Sequence, residues 1–206
     1  MNLDLNKNGF LVIRSLYDVR LHTPNIPDLY EYMLELEHST GEDHQVANAK
    51  AFYNNLELCK LQMKIMPRIE KIIEERLYPT YSYARIYNQG SELKKHKDRE
   101  ACEISVSMNI GQRGDNAWPI FIEDFQGKTH EVILDKGDAV LYKGCEVYHW
   151  RNKAGARVRK YAQAFLHYVI QDGMYEDHIF DNPFAPAKTE REIKKELLEK
   201  IFNKKK

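Results

Sequence analysis

Cysteine is scarce in this chain of 206 residues, with only Cys59, Cys102 and Cys145. They are odd in number, far apart and form no C-x-x-C pair, which argues against a disulfide framework or a structural zinc knuckle. Long apolar runs are missing too: none approaches the roughly 20 residues a membrane helix needs. The first residues carry an early Asp4 and no apolar core, so they do not read as a secretion signal. Neither sign of charge is in excess, since 31 basic side chains match 31 acidic ones. That balance argues against a protein held on nucleic acid mainly by counterion release. Internal repeats and low-complexity linkers are absent. The expectation is a soluble cytoplasmic protein with no membrane partner, for which nucleic acid is not the expected ligand. The chain is instead rich in apolar residues (43%), enough at this length to bury a core without covalent staples.

The apolar pattern divides the chain. Gly9 to Ile13 reads as an opening strand. Pro27 and Asp28 then open a helix with Leu29, Tyr32, Met33 and Leu36 on one side. Val46, Ala49, Phe52, Tyr53 and Leu56 repeat that helical spacing, as do Ile65, Ile69, Ile72 and Ile73, with Pro67 starting or kinking the last helix. Helical support therefore spans about 25–76. From Leu77 the period becomes alternating. Segments 78–87, 102–110, 118–124, 130–134, 138–143, 146–151 and 158–169 read as seven strands separated by Gly- and Asn-bearing turns. Strands in such succession, without helices between them, predict an antiparallel sandwich or barrel. Thr189 caps a C-terminal helix expected over about 189–203. The whole chain, 1–206, reads as one domain, mainly β with flanking α-helices, around a jelly-roll core over about 77–170.

Eight histidines are few enough to weigh singly. His22, His38, His44 and His178 read as solvated or capping residues, and His130 and His167 as packed strand residues. His96-Lys97-Asp98 is different. Residues two apart in an extended stretch share a face, so an imidazole and a carboxylate can meet one ion with Lys97 turned away. A second imidazole from elsewhere would complete a two-histidine, one-carboxylate set, which leaves positions open on a non-haem Fe(II). A His-x-Asp tripeptide is expected by chance about once in two chains of this composition. Context therefore decides. The tripeptide follows the strand and turn Tyr83 to Gly90 and precedes the strand Glu103 to Ile110. After it come the turn Lys136-Gly137-Asp138, then Glu146 to Arg151 with His149, then the apolar strand Lys160 to Tyr168.

In this order the motifs resemble the Fe(II)- and 2-oxoglutarate-dependent oxygenases, closest to their prolyl-4-hydroxylase-like branch, over about Pro79 to Val169. The resemblance implies a double-stranded β-helix, in agreement with the all-β reading of the same stretch. It implies His96, Asp98 and His149 as iron ligands and catalytic centre, Fe(2+) as cofactor, and 2-oxoglutarate and O2 as cosubstrates. The implied reaction hydroxylates an unactivated C–H bond while 2-oxoglutarate becomes succinate and CO2. A prolyl or other amino-acid residue of a peptide or protein is the leading substrate class, with a small molecule as the other.

The family also uses a basic group near the start of the last strand to grip the far carboxylate of 2-oxoglutarate. Here the match is not clean, because Arg157, Arg159 and Lys160 all follow His149 closely. Lys160 shares a strand face with the small Ala162 and Ala164, which would suit the inner wall of a narrow barrel, and it matches the family position. Arg159 offers the better fork. Arg151, on the face of His149, is the third candidate. Tyr87 matches a family tyrosine that bonds the same carboxylate, and Ser105 and Ser107 are candidates to line the pocket. Trp118, Phe121 and Trp150 read as core. Two other readings stay open: a non-catalytic jelly-roll that binds a metal or small molecule, and a nucleobase-directed oxygenase of the same fold, for which the cluster Lys94, Lys95, Lys97 and Arg99 is the only support.

Overall fold

The computed structural model describes residues 3–17, 28–114 and 118–182. The expected C-terminal helix lies outside the described residues, as does Pro27. Helix α1 (Leu3–Asn8) precedes strand β1 (Phe10–Ile13), and α2 (Leu29–Leu36) begins where the Asp28 carboxylate accepts the N–H groups of Tyr30 and Glu31. Strand β2 (Ala49–Tyr53) leads to α3 (Leu56–Ile73), capped by Asn55. The β core follows as β3 (Leu77–Tyr87), β4 (Leu93–His96), β5 (Ile104–Gly114), β6 (Ile120–Glu123), β7 (Thr129–Val132), β8 (Ala139–Tyr142), β9 (His149–Arg151) and β10 (Val158–Ile170). No helix among the described residues is long and apolar enough to cross a membrane.

The strands form two antiparallel sheets, one of six strands in the order β1-β8-β5-β10-β3-β2 and one of four in the order β4-β9-β6-β7. This is a mixed, helix-flanked β architecture of the jelly-roll type. Helix α3 lies on the outer face of the large sheet, where Leu58, Leu61, Ile65 and Ile69 pack with Ala84, Val106, Met108, Ala162, Ala164 and Leu166. The inner face presents the opposite set: Tyr83, Arg85 and Tyr87 on β3, and Tyr161, Gln163, Phe165 and His167 on β10.

Three expectations are corrected. Residues 49–53 form a strand, not a helix, because they pair with β3 from Ala49–Tyr87 to Tyr53–Tyr83. The approach to that strand is a turn, in which the Asp43 carboxylate accepts from the N–H groups of Gln45 and Val46. Helical spacing among a few apolar residues yields here to pairing along an open sheet edge. Pro67 does not start a helix but lies inside α3, on its exposed side, where water can serve the carbonyl it leaves without a partner. Finally, Ala162 and Ala164 line the outer face and not the inner wall; their small size lets α3 approach the sheet.

Candidate metal centre

Strand β4 ends at His96 and β9 begins at His149, and the two residues are direct partners across the antiparallel pair. Their rings stand 4.3 Å apart between centroids. Asp98 follows two residues beyond β4, held by its backbone N–H, which donates to the Gly144 carbonyl at 2.9 Å. Its Oδ1 lies 3.6 Å from His96 Nε2 and 3.5 Å from His149 Nε2. One potential ligand atom from each of the three residues lies within 4.8 Å of the others. They open onto a cavity of about 430 Å³, also lined by Tyr81, Tyr83, Arg85 and Arg99.

Neighbouring groups aim these side chains. The His96 Nδ1 sits 2.8 Å from the Lys94 carbonyl; donation there leaves Nε2 free as a lone pair. The Ser105 hydroxyl donates to Asp98 Oδ2 at 3.1 Å, which leaves Oδ1 facing the imidazoles. His167 Nδ1 meets the same hydroxyl at 2.9 Å. Gly144 makes this packing possible. A Cβ there would lie 2.1 Å from the Cys102 carbonyl oxygen and 2.8 Å from both Asp98 Oδ2 and Ser105 Oγ.

The charges are tuned together. Burial alone would raise the Asp98 carboxyl, but the hydrogen bond from His96 and the fields of His149 and His167 bring it down to about 2. Burial lowers His149, with Asp98 opposing it, and lowers His167 to about 4. At His96 burial acts in the same direction, yet the Asp98 and Lys94 hydrogen bonds prevail and raise it. An ionised carboxylate beside a neutral, buried imidazole is the protonation state that a divalent metal requires of its ligands.

The remaining predicted residues are scattered. Lys160 belongs to the outer face and its amino group bonds Glu37, at the end of α2. Arg159 is exposed and lines a separate surface hollow with Glu42, Lys50 and Asn88. Tyr87 is fully buried on the inner face and accepts a hydrogen bond from Arg85 at 2.9 Å. Arg151 is only 1% exposed. Its guanidinium donates to the Trp118 carbonyl at 2.5 Å, to Gln163 Oε1 at 2.7 Å and to the Tyr161 hydroxyl at 3.3 Å. It lies between the rings of Trp118 and Tyr161, at 4.7 and 4.6 Å. Among the described residues it has no carboxylate within ion-pair reach. Ser107 is buried in the same group, bonded by Gln163.

Trp118 is buried as expected, whereas Phe121 and Trp150 stack on the open face of the small sheet, with Lys95 4.9 Å above Trp150. Sequence reasoning missed Arg85, whose Nε donates to Asp43 at 2.5 Å, and it ranked His167 as ordinary packing. The signal for Arg85 was present: Tyr81, Tyr83, Arg85 and Tyr87 alternate along one strand, so a polar wall was written into its period.

No protein-family model matches the chain, and neither does any curated protein sequence. Solved structures do. A Pseudomonas putida prolyl-4-hydroxylase is 14% identical with a TM-score of 0.61, over 80% of this chain and 95% of that one. HygX from Streptomyces hygroscopicus, with nickel, 2-oxoglutarate and hygromycin B bound, is 10% identical with a TM-score of 0.61, over 80% and 84%. The α-ketoglutarate-dependent epimerase SnoN of nogalamycin biosynthesis is 10% identical with a TM-score of 0.63, over 80% and 79%. At such low identity the likeness is one of architecture, and the chain shares the jelly-roll, double-stranded β-helix fold of these structures.

Proposed function

We propose that the protein is a member of the Fe(II)- and 2-oxoglutarate-dependent oxygenase superfamily that hydroxylates an unactivated C–H bond. The convergence of His96, Asp98 and His149 on the wall of one cavity carries this reading. Two imidazole nitrogens and one carboxylate oxygen are the donor set of a facial triad for non-haem Fe(II), so the residues present fit the metal. When bound, iron supplies the O2 activation that couples decarboxylation of 2-oxoglutarate, giving succinate and CO2, to substrate hydroxylation.

The chain's own part is binding and orientation. A guanidinium buried without an anion is costly, and a bound carboxylate would relieve it. Arg151 meets that description, sits on the inner face with His149, and lies about 6.6 Å farther along β9 at 3.3 Å per residue. We assign it the far carboxylate of 2-oxoglutarate, with Tyr161, Gln163 and Tyr87 around it. Arg85, unlike Arg151, lines the cavity itself, but Asp43 already matches its charge. Lys160 and Arg159 face elsewhere. For the substrate, the three tyrosines Tyr53, Tyr81 and Tyr83 give the cavity an aromatic wall suited to a prolyl or similar amino-acid residue. The structural likeness to the bacterial prolyl-4-hydroxylase supports the same class.

The test is visible absorption under anaerobic conditions on adding Fe(II) and then 2-oxoglutarate. A charge-transfer band in the wild type that is lost in His149→Ala is the expected result. Folded, iron-loaded protein without the band would overturn the reading in favour of a binding module. Substrate screening then begins with prolyl peptides, and the gain of one oxygen atom in the product separates hydroxylation from epimerisation.

A further inference from the structure

The two oxygens of Asp98 face different surroundings. Oδ1 is turned to the imidazoles of His96 and His149. Oδ2 is turned to Ser105, whose hydroxyl also stands 2.9 Å from His167 Nδ1 and 3.1 Å from the Cys102 carbonyl. Beyond Ser105, Asp98, Cys102 and His167 form a second group whose potential ligand atoms all lie within 4.8 Å of one another. Cys102 and His167 are buried, at 1% and 5% exposure, and line the same cavity as the triad. Tyr81 covers them, with its hydroxyl 3.1 Å from Cys102 Sγ and its ring 4.5 Å from that of His167.

We propose that Asp98, Cys102 and His167 form a second divalent-metal site, selective for a thiophilic ion such as Zn(II), that shares Asp98 with the first. The donor chemistry sets the preference. A thiolate, an imidazole and a carboxylate are three ligands of a tetrahedral zinc site, with the fourth position left to water. The first site offers no sulfur, so a softer ion sorts to the second. On binding, the sulfur–metal bond replaces the sulfur–hydrogen bond, and the thiol proton leaves to water. An ion held there competes for the Asp98 carboxylate, so zinc would weaken iron binding without touching either triad histidine. This inference goes beyond the oxygenase reading and holds whether or not 2-oxoglutarate binds.

The probe is Co(II), whose thiolate charge-transfer band in the near ultraviolet reports sulfur ligation directly. The full chain carrying His96→Ala and His149→Ala should develop the band on titration, and Cys102→Ser added to it should abolish the band. Cys145→Ser and Cys59→Ser should leave it intact, and His167→Gln should weaken Co(II) binding about tenfold or more. The wild type should develop the same band on titration, which keeps the test decisive if the double variant does not fold. Absence of the band from the folded wild type, or its survival in Cys102→Ser, would overturn the site. Loss of the iron–2-oxoglutarate band with retention of this one would count against the oxygenase reading alone.

Discussion

The six-stranded sheet packs its outer face against α3 and fills it with aliphatic side chains, whereas the four-stranded sheet has strands of only three or four residues and an outer face of Lys95, Phe121 and Trp150. Yet the small sheet supplies His96 and His149, and Asp98 lies just past its edge. The large sheet gives the inner wall, Tyr83, Arg85, Ser105 and His167, that surrounds those groups. Stability and chemistry are thus lodged in different layers. On this division the candidate metal site can be altered at little cost to folding, and folding can be weakened with the site's side chains intact.

The sharpest break of this comparison is His149→Ala. It should remove iron-dependent turnover altogether while the unfolding free energy, from urea titration, stays within about 1 kcal/mol. The reciprocal change, Leu61→Ala under the large sheet, should cost about 2–5 kcal/mol of stability, while the folded fraction keeps the iron band. Equal stability losses in the two variants would show that the layers are not separable.

Arg151→Gln belongs to both layers. It should weaken 2-oxoglutarate binding by about 2–5 kcal/mol, measured by titration of the iron complex. Its unfolding midpoint should hold or rise, because a buried charge with no anionic partner among the described residues is removed. Lys160→Ala should leave cosubstrate binding unchanged. Ser105→Ala is expected to lower Fe(II) affinity about tenfold, by freeing the Asp98 carboxylate to rotate.

The smallest effect is set by pH. Burial would raise the Asp43 carboxyl, but the Arg85 charge and hydrogen bonds from Arg85 and Tyr83 leave it below its ordinary value of 3.8. A carboxyl lowered in the folded state contributes stability that is present above about pH 4 and lost as pH falls through its folded value. The stability gap between wild type and Asp43→Asn should therefore shrink between pH 5 and pH 3.

Most strands after Leu77, though not β4, and the grouping of His96, Asp98 and His149 were legible because they rest on local alternation and on a short motif in a recognisable sequence of turns. The anchor was harder. The face of Lys160 was read correctly relative to Ala162 and Ala164, but small residues suit a helix contact as well as a ligand pocket, and only the placement of α3 decides between them. The strand at 49–53 was hidden for a related reason: its pairing partners on β3 lie thirty or more residues farther along the chain. Ser105 and His167 meet across neighbouring strands, and nothing in either stretch alone announces that meeting.

Gly144 carries no functional group, yet it stands where the turn before β9 touches the segment bearing Asp98. Any side chain added there drives into the Cys102 carbonyl, Ser105 and the Asp98 carboxylate. In a library of random variants screened only for activity, this position would score as intolerant as a ligand. A reader of that map would assign it a chemical role, when what is selected is the emptiness beside the site.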